Sequence, residues 1–201
     1  NTTADYNTAV GYKAGYSTTT GESNVFVGGA AWNSGYGAGY NNTTGNYNIA
    51  VGANALGNNT TASNNVSVGH QSLYSNTTAS NNTAVGYQAS YNGTTADNTV
   101  AIGRQALYSA TTGGGNVAVG STAMYLTTGI DNISLGASTL RYNTTGSSNT
   151  ALGTQSLHHN TTASYNTAVG YRGQYLNTTG IRNDTLGALA LHSNTTGSYN
   201  T

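Results

Sequence analysis

Few side chains in this sequence could carry out acid–base chemistry. The chain is repetitive, and its five carboxylates fall in different repeats, at Asp5, Glu22, Asp97, Asp131 and Asp184. Paired-carboxylate catalysis needs two acids side by side, and we expect none of these acids to form such a pair. The sequence therefore predicts no catalytic residues, and we expect that the chain is not an enzyme.

The histidines do not form a recognisable metal site. His158 and His192 are two repeats apart, roughly 10 Å if each repeat advances by ~4.8 Å, which exceeds the reach of one ion. His159 adjoins His158, but the chain has no Cys, and the glycine-aspartate calcium repeat is absent. We expect solvent-exposed histidines, no bound metal and no cofactor.

Aromatic residues suggest two binding surfaces. Tyr recurs five residues after a repeated glycine, most regularly at Tyr74, Tyr91, Tyr108 and Tyr125. Aligned rings beside amide and hydroxyl groups would suit a surface polysaccharide; alternatively, they cap a thin core and bond outward through their hydroxyls. An insertion at residues 33–41 follows Trp32 and carries Tyr36 and Tyr40, so it is a candidate contact loop.

Six asparagines stand in Asn-x-Thr/Ser triplets at one position of the repeat. They are Asn59, Asn76, Asn143, Asn160, Asn177 and Asn194. Such triplets accept N-linked glycans in cells that have the machinery. The other interpretation is that Asn and the following Thr pair build a turn, because both side chains bond readily to nearby backbone.

The composition is polar but almost uncharged. Only 5% of the 201 residues are charged, whereas about 25% is usual for a soluble domain. Val, Leu, Ile and Phe together number 29, against 28 Asn, 35 Thr and 28 Gly, so a large aliphatic core is excluded. With a net charge of zero there is no basic surface for nucleic acid, and no apolar run approaches the roughly 20 residues of a membrane span.

The chain repeats every 17 residues. Eight of ten intervals between the glycines of successive Val-Gly or Leu-Gly pairs equal 17; the interval from Gly28 to Gly52 is seven longer, and that from Gly120 to Gly136 is one shorter. Asn lies four residues before the glycine in ten of eleven repeats, with Thr99 as the exception. These positions, which predict a structural ladder of stacked amides, are Asn7, Asn24, Asn48, Asn65, Asn82, Asn116, Asn132, Asn149, Asn166 and Asn183.

This pattern favours an all-β parallel solenoid of about eleven coils. Gly, Asn and Thr-Thr interrupt every repeat, which excludes helical repeats, while the short stretch before each glycine is β-branched and alternates with period two. In such a fold each coil pairs with those above and below at ~4.8 Å. The whole chain, residues 1–201, is then one array.

Both sides of the predicted strands are apolar or small. In the repeat that ends at Gly86, Thr83 and Val85 share one face and Ala84 takes the other. A strand that is apolar on both sides is normally covered on both, so we expect one face inside the coil and the other against a neighbouring chain. Either set could face outward, and a monomeric solenoid is the alternative.

Several strings resemble the N-S-V-A-I-G repeats in the heads of YadA-type trimeric autotransporter adhesins, notably Asn98–Gly103, Asn116–Gly120 and Asn48–Gly52. The longer unit, from Asn149 to Thr162, resembles repeats of bacterial and phage tail-fibre-domain proteins. The adhesin resemblance implies a left-handed parallel β-roll, a homotrimer, and attachment at a cell surface.

Together these features predict a structural or adhesive fibre segment that self-associates as a homotrimer or filament and is extracellular, on a cell surface or on a virion. We also expect the chain to be an excerpt of a longer fibre, because it opens and stops within a repeat. Ice binding is an alternative because Thr recurs in register, although adjacent Thr residues point to opposite sides of a strand and cannot form two columns on one flat face.

Overall fold

The computed structural model describes residues 3–30 and 35–201, and these residues form a parallel β-solenoid. Eleven strands pair in chain order in a single sheet, each with the next. Their bounds are β1 Thr8–Val10, β2 Val25–Val27, β3 Ile49–Val51, β4 Val66–Val68, β5 Thr83–Val85, β6 Val100–Ile102, β7 Val117–Val119, β8 Ile133–Leu135, β9 Thr150–Leu152, β10 Thr167–Val169 and β11 Asp184–Leu186. The predicted fold class is confirmed.

Equivalent residues stack directly on one another. Between β5 and β6, for example, Thr83 pairs with Val100 and Ala84 with Ala101. Outside the strands the same vertical pairing continues through turns, as in the bond from the Leu73 N–H to the Ala89 carbonyl at 3.0 Å. Every side of the coil is therefore hydrogen-bonded to its neighbours.

The repeated glycine permits this close stacking. Gly86 has a φ of +133°, and a Cβ built on it would lie 2.7 Å from the Gly103 carbonyl oxygen. A side chain at this position would collide with the next coil, and the backbone conformation also favours glycine. The equivalent residue is glycine in all eleven repeats.

The interior of each coil is only two side chains deep. Ser67 on β4 and Ser72, three residues after the repeat glycine, approach to 2.6 Å between their Oγ atoms. A larger inward side chain fits only where the facing positions carry no side chain. Phe26 replaces the usual small residue of β2, and Cβ atoms built on Gly15 and Gly39 would lie 2.8 and 2.4 Å from its ring. Most other repeats carry Leu at the positions of these two glycines.

The small face of the sheet is inside and the aliphatic face is outside. The middle residue is buried in ten of the eleven strands, and Ala84 is 0% exposed. The thin interior explains this arrangement, because it holds Ala or Ser opposite the inward Ala-Leu pair but has no room for a second aliphatic column. The alternative in which the Ala set faces outward is wrong.

The two irregular repeats change length at different corners. The seven extra residues of the second coil lie between Gly28 and Ala38, because the Ala38 N–H returns to the Gly28 carbonyl and the Gly39 N–H bonds in register to Ala55. The predicted loop boundary at residue 41 is therefore wrong. In the short repeat the missing residue is the second Thr of the usual pair, since Thr128 bonds to Thr144.

Candidate functional site

One surface feature runs along the whole sheet: the outward face, which we define as the first and third residues of strands β1 to β11. The third residue is Val, Ile or Leu in every strand, and the first is Val or Ile in six. Ile102 is 39% exposed and Leu135 is 44% exposed. The outward face is thus an uncovered, largely apolar sheet surface with two aligned columns, of which the first also carries four Thr residues and Asp184.

Two edges flank this face. We call the residues five and six positions before each repeat glycine the leading edge, and those one and two positions after it the trailing edge. Both edges project into solvent: Tyr47 on the leading edge and Tyr87 on the trailing edge are both exposed. Four of the five acids lie on the leading edge, namely Asp5, Glu22, Asp97 and Asp131. Contrary to expectation, Asp5 and Glu22 occupy the same position in adjacent coils, where both are exposed.

The trailing edge carries bases instead. Lys13, Arg104 and Arg172 lie there, whereas Arg141 lies five residues after its glycine and Arg182 is the one base on the leading edge. Lys13 Nζ is 5.4 to 5.6 Å from the ring centres of Tyr12, Tyr16 and Tyr40. The two edges of the outward face therefore differ in charge, although the chain is neutral overall.

The predicted tyrosine stripe is a stacked column. Tyr74, Tyr91, Tyr108 and Tyr125 stack with centroid distances of 5.2, 5.3 and 4.9 Å and interplanar angles of at most 13°. The Arg141 guanidinium carbon lies 5.7 Å from the Tyr125 centroid and closes the stack. Burial raises the pKa of Tyr91, and its Tyr neighbours add to this shift.

The column continues toward the end of the chain through histidines that sequence reasoning had treated as exposed. His158 stacks on Tyr175 at 5.2 Å, and Tyr175 stacks on His192 at 5.2 Å. His158 is buried, and its Nδ1 lies 2.9 Å from the Ser138 carbonyl oxygen. The expectation of an exposed His158 is therefore wrong; its position five residues after Gly153, the same as that of the tyrosines, was the available signal.

This stacking does not favour the polysaccharide surface predicted from the stripe. Sugar rings bind to the faces of aromatic side chains, but here the ring faces are covered by the neighbouring coils, through the next ring or, at the ends of the stack, through Gly57 and Arg141. Only the ring edges and the hydroxyl groups remain available. The column fits the alternative role, in which the tyrosines cap the core.

The strand asparagines form the predicted ladder. The Asn149 Oδ1 accepts bonds from the backbone N–H and the side-chain amide of Asn166, at 3.0 and 3.2 Å, and its Nδ2 donates to Asn132 Oδ1 at 3.0 Å. The backbone N–H bond recurs between the other predicted rungs, except around Thr99, and the pattern extends to Asn200. The amide-to-amide bond is missing at two further rungs: Asn48 Nδ2 donates to the Ala62 carbonyl, and Asn82 Nδ2 has no partner. Thr99 bonds back to Asn82, but no bond joins it to Asn116.

The predicted glycosylation sites form a second, buried ladder at the Thr-Thr corner. Asn160 Nδ2, for example, donates to Asn143 Oδ1 and to the Ala163 carbonyl, both at 2.9 Å. Asn59, Asn76, Asn143, Asn160 and Asn177 are all 0% exposed. A glycan cannot be accommodated on these amides in the folded rod, so their prediction as glycosylation sites is corrected; Asn194, in the last coil, makes the same corner bond. Asn42 extends this ladder and was missed.

The Thr-Thr corner does not present the two columns of exposed Thr side chains that a flat ice-binding face would need. The hydroxyl of the first Thr of most pairs donates to the carbonyl of the next coil, as from Thr60 to Thr77 at 3.0 Å. The second Thr, such as Thr61, is exposed and forms a single file.

The candidate contact loop is only partly defined. Trp32 lies outside the described residues. Tyr36 contacts Tyr40 with a centroid distance of 4.6 Å. Tyr40 itself stacks on Tyr16 at 5.2 Å and 5°, so it belongs to the aromatic column rather than to the insertion.

Within residues 3–30 and 35–201, no group of three or more His, Asp or Glu side chains is arranged to hold a metal ion. The same residues contain no helix with the length and apolarity that a membrane crossing requires. No family model, no curated protein and no solved structure matches this chain.

Proposed function

We propose that this chain is a rod-forming segment of a structural and adhesive fibre, in which copies associate laterally through the outward face, as a homotrimer. The carrying observation is the uncovered aliphatic sheet surface. Parallel sheets are normally covered on both faces, and here the inner face is covered by the coil itself while the outer face is left to a partner. A non-catalytic role also suits the acids, because only Asp5 and Glu22 occupy equivalent positions in adjacent coils and both are exposed to solvent.

The size of the face supports this assignment. Eleven strands at ~4.8 Å make a face ~50 Å long, and three-residue strands make it ~10 Å wide, giving on the order of 500 Å². That is near the upper end of the apolar patches that monomers leave exposed, and such patches mark interaction sites. A second copy presents the same strip with the same spacing, so stacked columns can interdigitate along the whole rod.

The test is the mass of the assembly. Val51→Asp and Leu135→Asp each place a carboxylate on the outward face without touching the interior. We expect wild type to sediment as a multiple of the 20.4 kDa chain, three chains for a homotrimer, and each variant to sediment as one chain with an unchanged far-UV circular dichroism spectrum. The control, Thr61→Asp, adds the same charge at the exposed Thr corner and keeps the wild-type mass.

A wild-type mass of one chain would overturn the lateral association. The adhesive role is tested separately by coating beads with the rod and counting the beads retained on bacterial and animal cells. Retention no greater than that of albumin-coated beads contradicts adhesion and leaves the structural role. An extracellular, cell-surface or virion location is part of the same proposal and follows from the resemblance to adhesin and tail-fibre repeats.

A further inference from the structure

In two coils, those of β1 and β6, an acid on the leading edge is matched by a base on the trailing edge. β1 has Asp5 on its leading edge and Lys13 on its trailing edge, and β6 has Asp97 and Arg104 in the same places. Asp97 and Arg104 are both exposed. The leading-edge and trailing-edge residues of one coil are roughly 15–20 Å apart, because a whole strand lies between them. These charges therefore cannot reach each other within one chain.

Within the described residues, neither side chain of the β6 pair has an oppositely charged partner. Asp97 accepts a bond from the Ser80 N–H at 2.6 Å, and the described part of the chain contains no ion pair that involves Arg104. A charge pair that is complementary but separated by the width of the outward face is suited to a contact between two copies.

We propose that copies of this chain associate in parallel and at the same axial level, with Arg104 of one copy paired to Asp97 of the next and Lys13 paired to Asp5. This inference rests on the proposed lateral association and specifies its geometry. Rotation about an axis parallel to the rod keeps every coil at its level and brings each leading edge against a trailing edge. Acids then meet bases.

Antiparallel association gives the opposite result. A two-fold axis perpendicular to the rod makes an isologous contact, in which leading edge meets leading edge and trailing meets trailing. The acids at Asp5, Glu22, Asp97 and Asp131 would then share one side of the interface. Like charges brought together in this way disfavour that arrangement.

The level register is also the best of the parallel registers. With no offset, the β1 and β6 pairs are attractive and no coil brings like charges together, because the residues opposite Glu22, Asp131, Arg172 and Arg182 are uncharged. An offset of one coil in one direction pairs Lys13 with Glu22 but sets Arg172 against Arg182. The reverse offset aligns no opposite charges. An offset of four coils also gives two attractive pairs, Arg104 with Glu22 and Arg172 with Asp97, but it leaves four coils of each copy without a partner. Only the unshifted register combines two attractive pairs with contact along all eleven coils.

The first test is a charge-swap cycle on the assembly constant, measured by sedimentation at low salt. Asp97→Arg and Arg104→Asp alone should each weaken association at least tenfold, because each places like charges at every junction. The double swap, Asp97→Arg with Arg104→Asp, should restore association to within about threefold of wild type. Since the two residues do not touch within a chain, restoration reports a contact between copies.

A matched control makes the same charge change without a facing base. Asp131→Arg alters the leading edge of β8, whose trailing residues Ala137 and Ser138 are uncharged, while Arg141 lies five residues after its glycine, beyond the trailing edge. We expect less than a threefold effect. A loss equal to that of Asp97→Arg would mean that net charge, rather than pairing, governs assembly, and would overturn the proposal.

The second test uses the absence of native cysteine. Asp97→Cys and Arg104→Cys chains are mixed and oxidised. Disulfides joining one variant to the other are expected, whereas disulfides formed within either variant alone would show antiparallel contacts and contradict the inference. If wild type assembles but shows neither coupling nor mixed disulfides, this inference fails and the proposed function stands; if wild type is a single chain, the proposed function itself has failed.

Discussion

At the scale of single residues, the repeat glycine sets the distance between coils. Its missing side chain lets the backbone of one coil lie against the carbonyl group of the next, as Gly86 does against Gly103. Two separate effects exclude other residues, namely the positive φ and the contact. The chain offers a pair of positions that separates them.

Gly86→Ala and Gly187→Ala form this matched pair. Both glycines have nearly the same φ, +133° and +131°, but a Cβ on Gly187 meets nothing within 4 Å. We expect Gly187→Ala to lower the free energy of unfolding by about 1–3 kcal/mol through backbone strain. Gly86→Ala should cost about 2 kcal/mol more, since the coils must also shift apart. Urea denaturation measures both, and equal losses would show that the contact contributes nothing.

At the scale of elements, the aromatic column joins successive coils on the side where no strand forms. His158 takes the place of a tyrosine in this column. Burial lowers the pKa of His158 below its ordinary value of 6.5; the bond to the Ser138 carbonyl opposes this shift, while His159, Arg141 and Arg172 add to it. The folded rod therefore prefers the neutral ring.

This preference makes stability depend on pH. Because the pKa of His158 is lower in the folded state, the unfolded chain binds more protons as the pH falls below about 6.5. The contribution of His158 is fully present above that pH and is lost progressively as the pH falls toward the folded-state pKa. His158→Tyr, which restores the residue of other repeats, should remove this component. Urea midpoints of both proteins from pH 8 to pH 5 provide the measurement, and parallel pH profiles would contradict it.

The sequence predicted the elements better than their orientation. The period of 17, the strands and the rungs of the amide ladder follow from spacing alone. Which strand face lies inside does not, because Val85 is more apolar than Ala84 and the decision depends on the room left by the opposite residues. Likewise, Asn160 reads equally as a glycan acceptor and as a turn residue until its burial is known.

The site was predictable only in part for the same reason. A tyrosine every 17 residues indicates aligned rings, but whether their faces are free depends on the distance between coils and on the side-chain rotamers. Arg141 and His158 occupy the tyrosine position with different chemistry, so a search for one residue type misses them. Their place in the repeat, rather than their type, identifies them.

At the scale of the whole molecule, both ladders are interrupted near the centre of the rod. The corner ladder is interrupted at Gly93, Ala110 and Thr127, and the strand ladder at Thr99. Two buried polar atoms next to this interruption, Asn76 Oδ1 and Asn82 Nδ2, have no hydrogen-bond partner. In a solenoid each coil contacts only its neighbours, so this segment is the place where the rod should open first.

Hydrogen exchange tests this expectation. Backbone amides in residues 93–128 should exchange faster than those in the flanking coils. Thr99→Asn supplies the missing acceptor for the Asn116 N–H and should stabilise the rod by about 1 kcal/mol, with the gain in protection concentrated at the centre. Uniform protection along the wild-type rod, or a gain spread evenly over all coils, would refute the assignment of a weak centre.

The seven-residue insertion has a practical consequence. The chain leaves the second coil after Gly28 and rejoins it at Ala38, and the bond between these two residues at 3.1 Å closes the excursion at its base. The neighbouring coils keep their register, so the length of the insertion does not affect how the coils stack. The corner after a strand is thus a site where a foreign peptide could be inserted at a fixed height on the rod. In an assembly whose copies lie at the same axial level, the inserted peptides would form a ring around the rods.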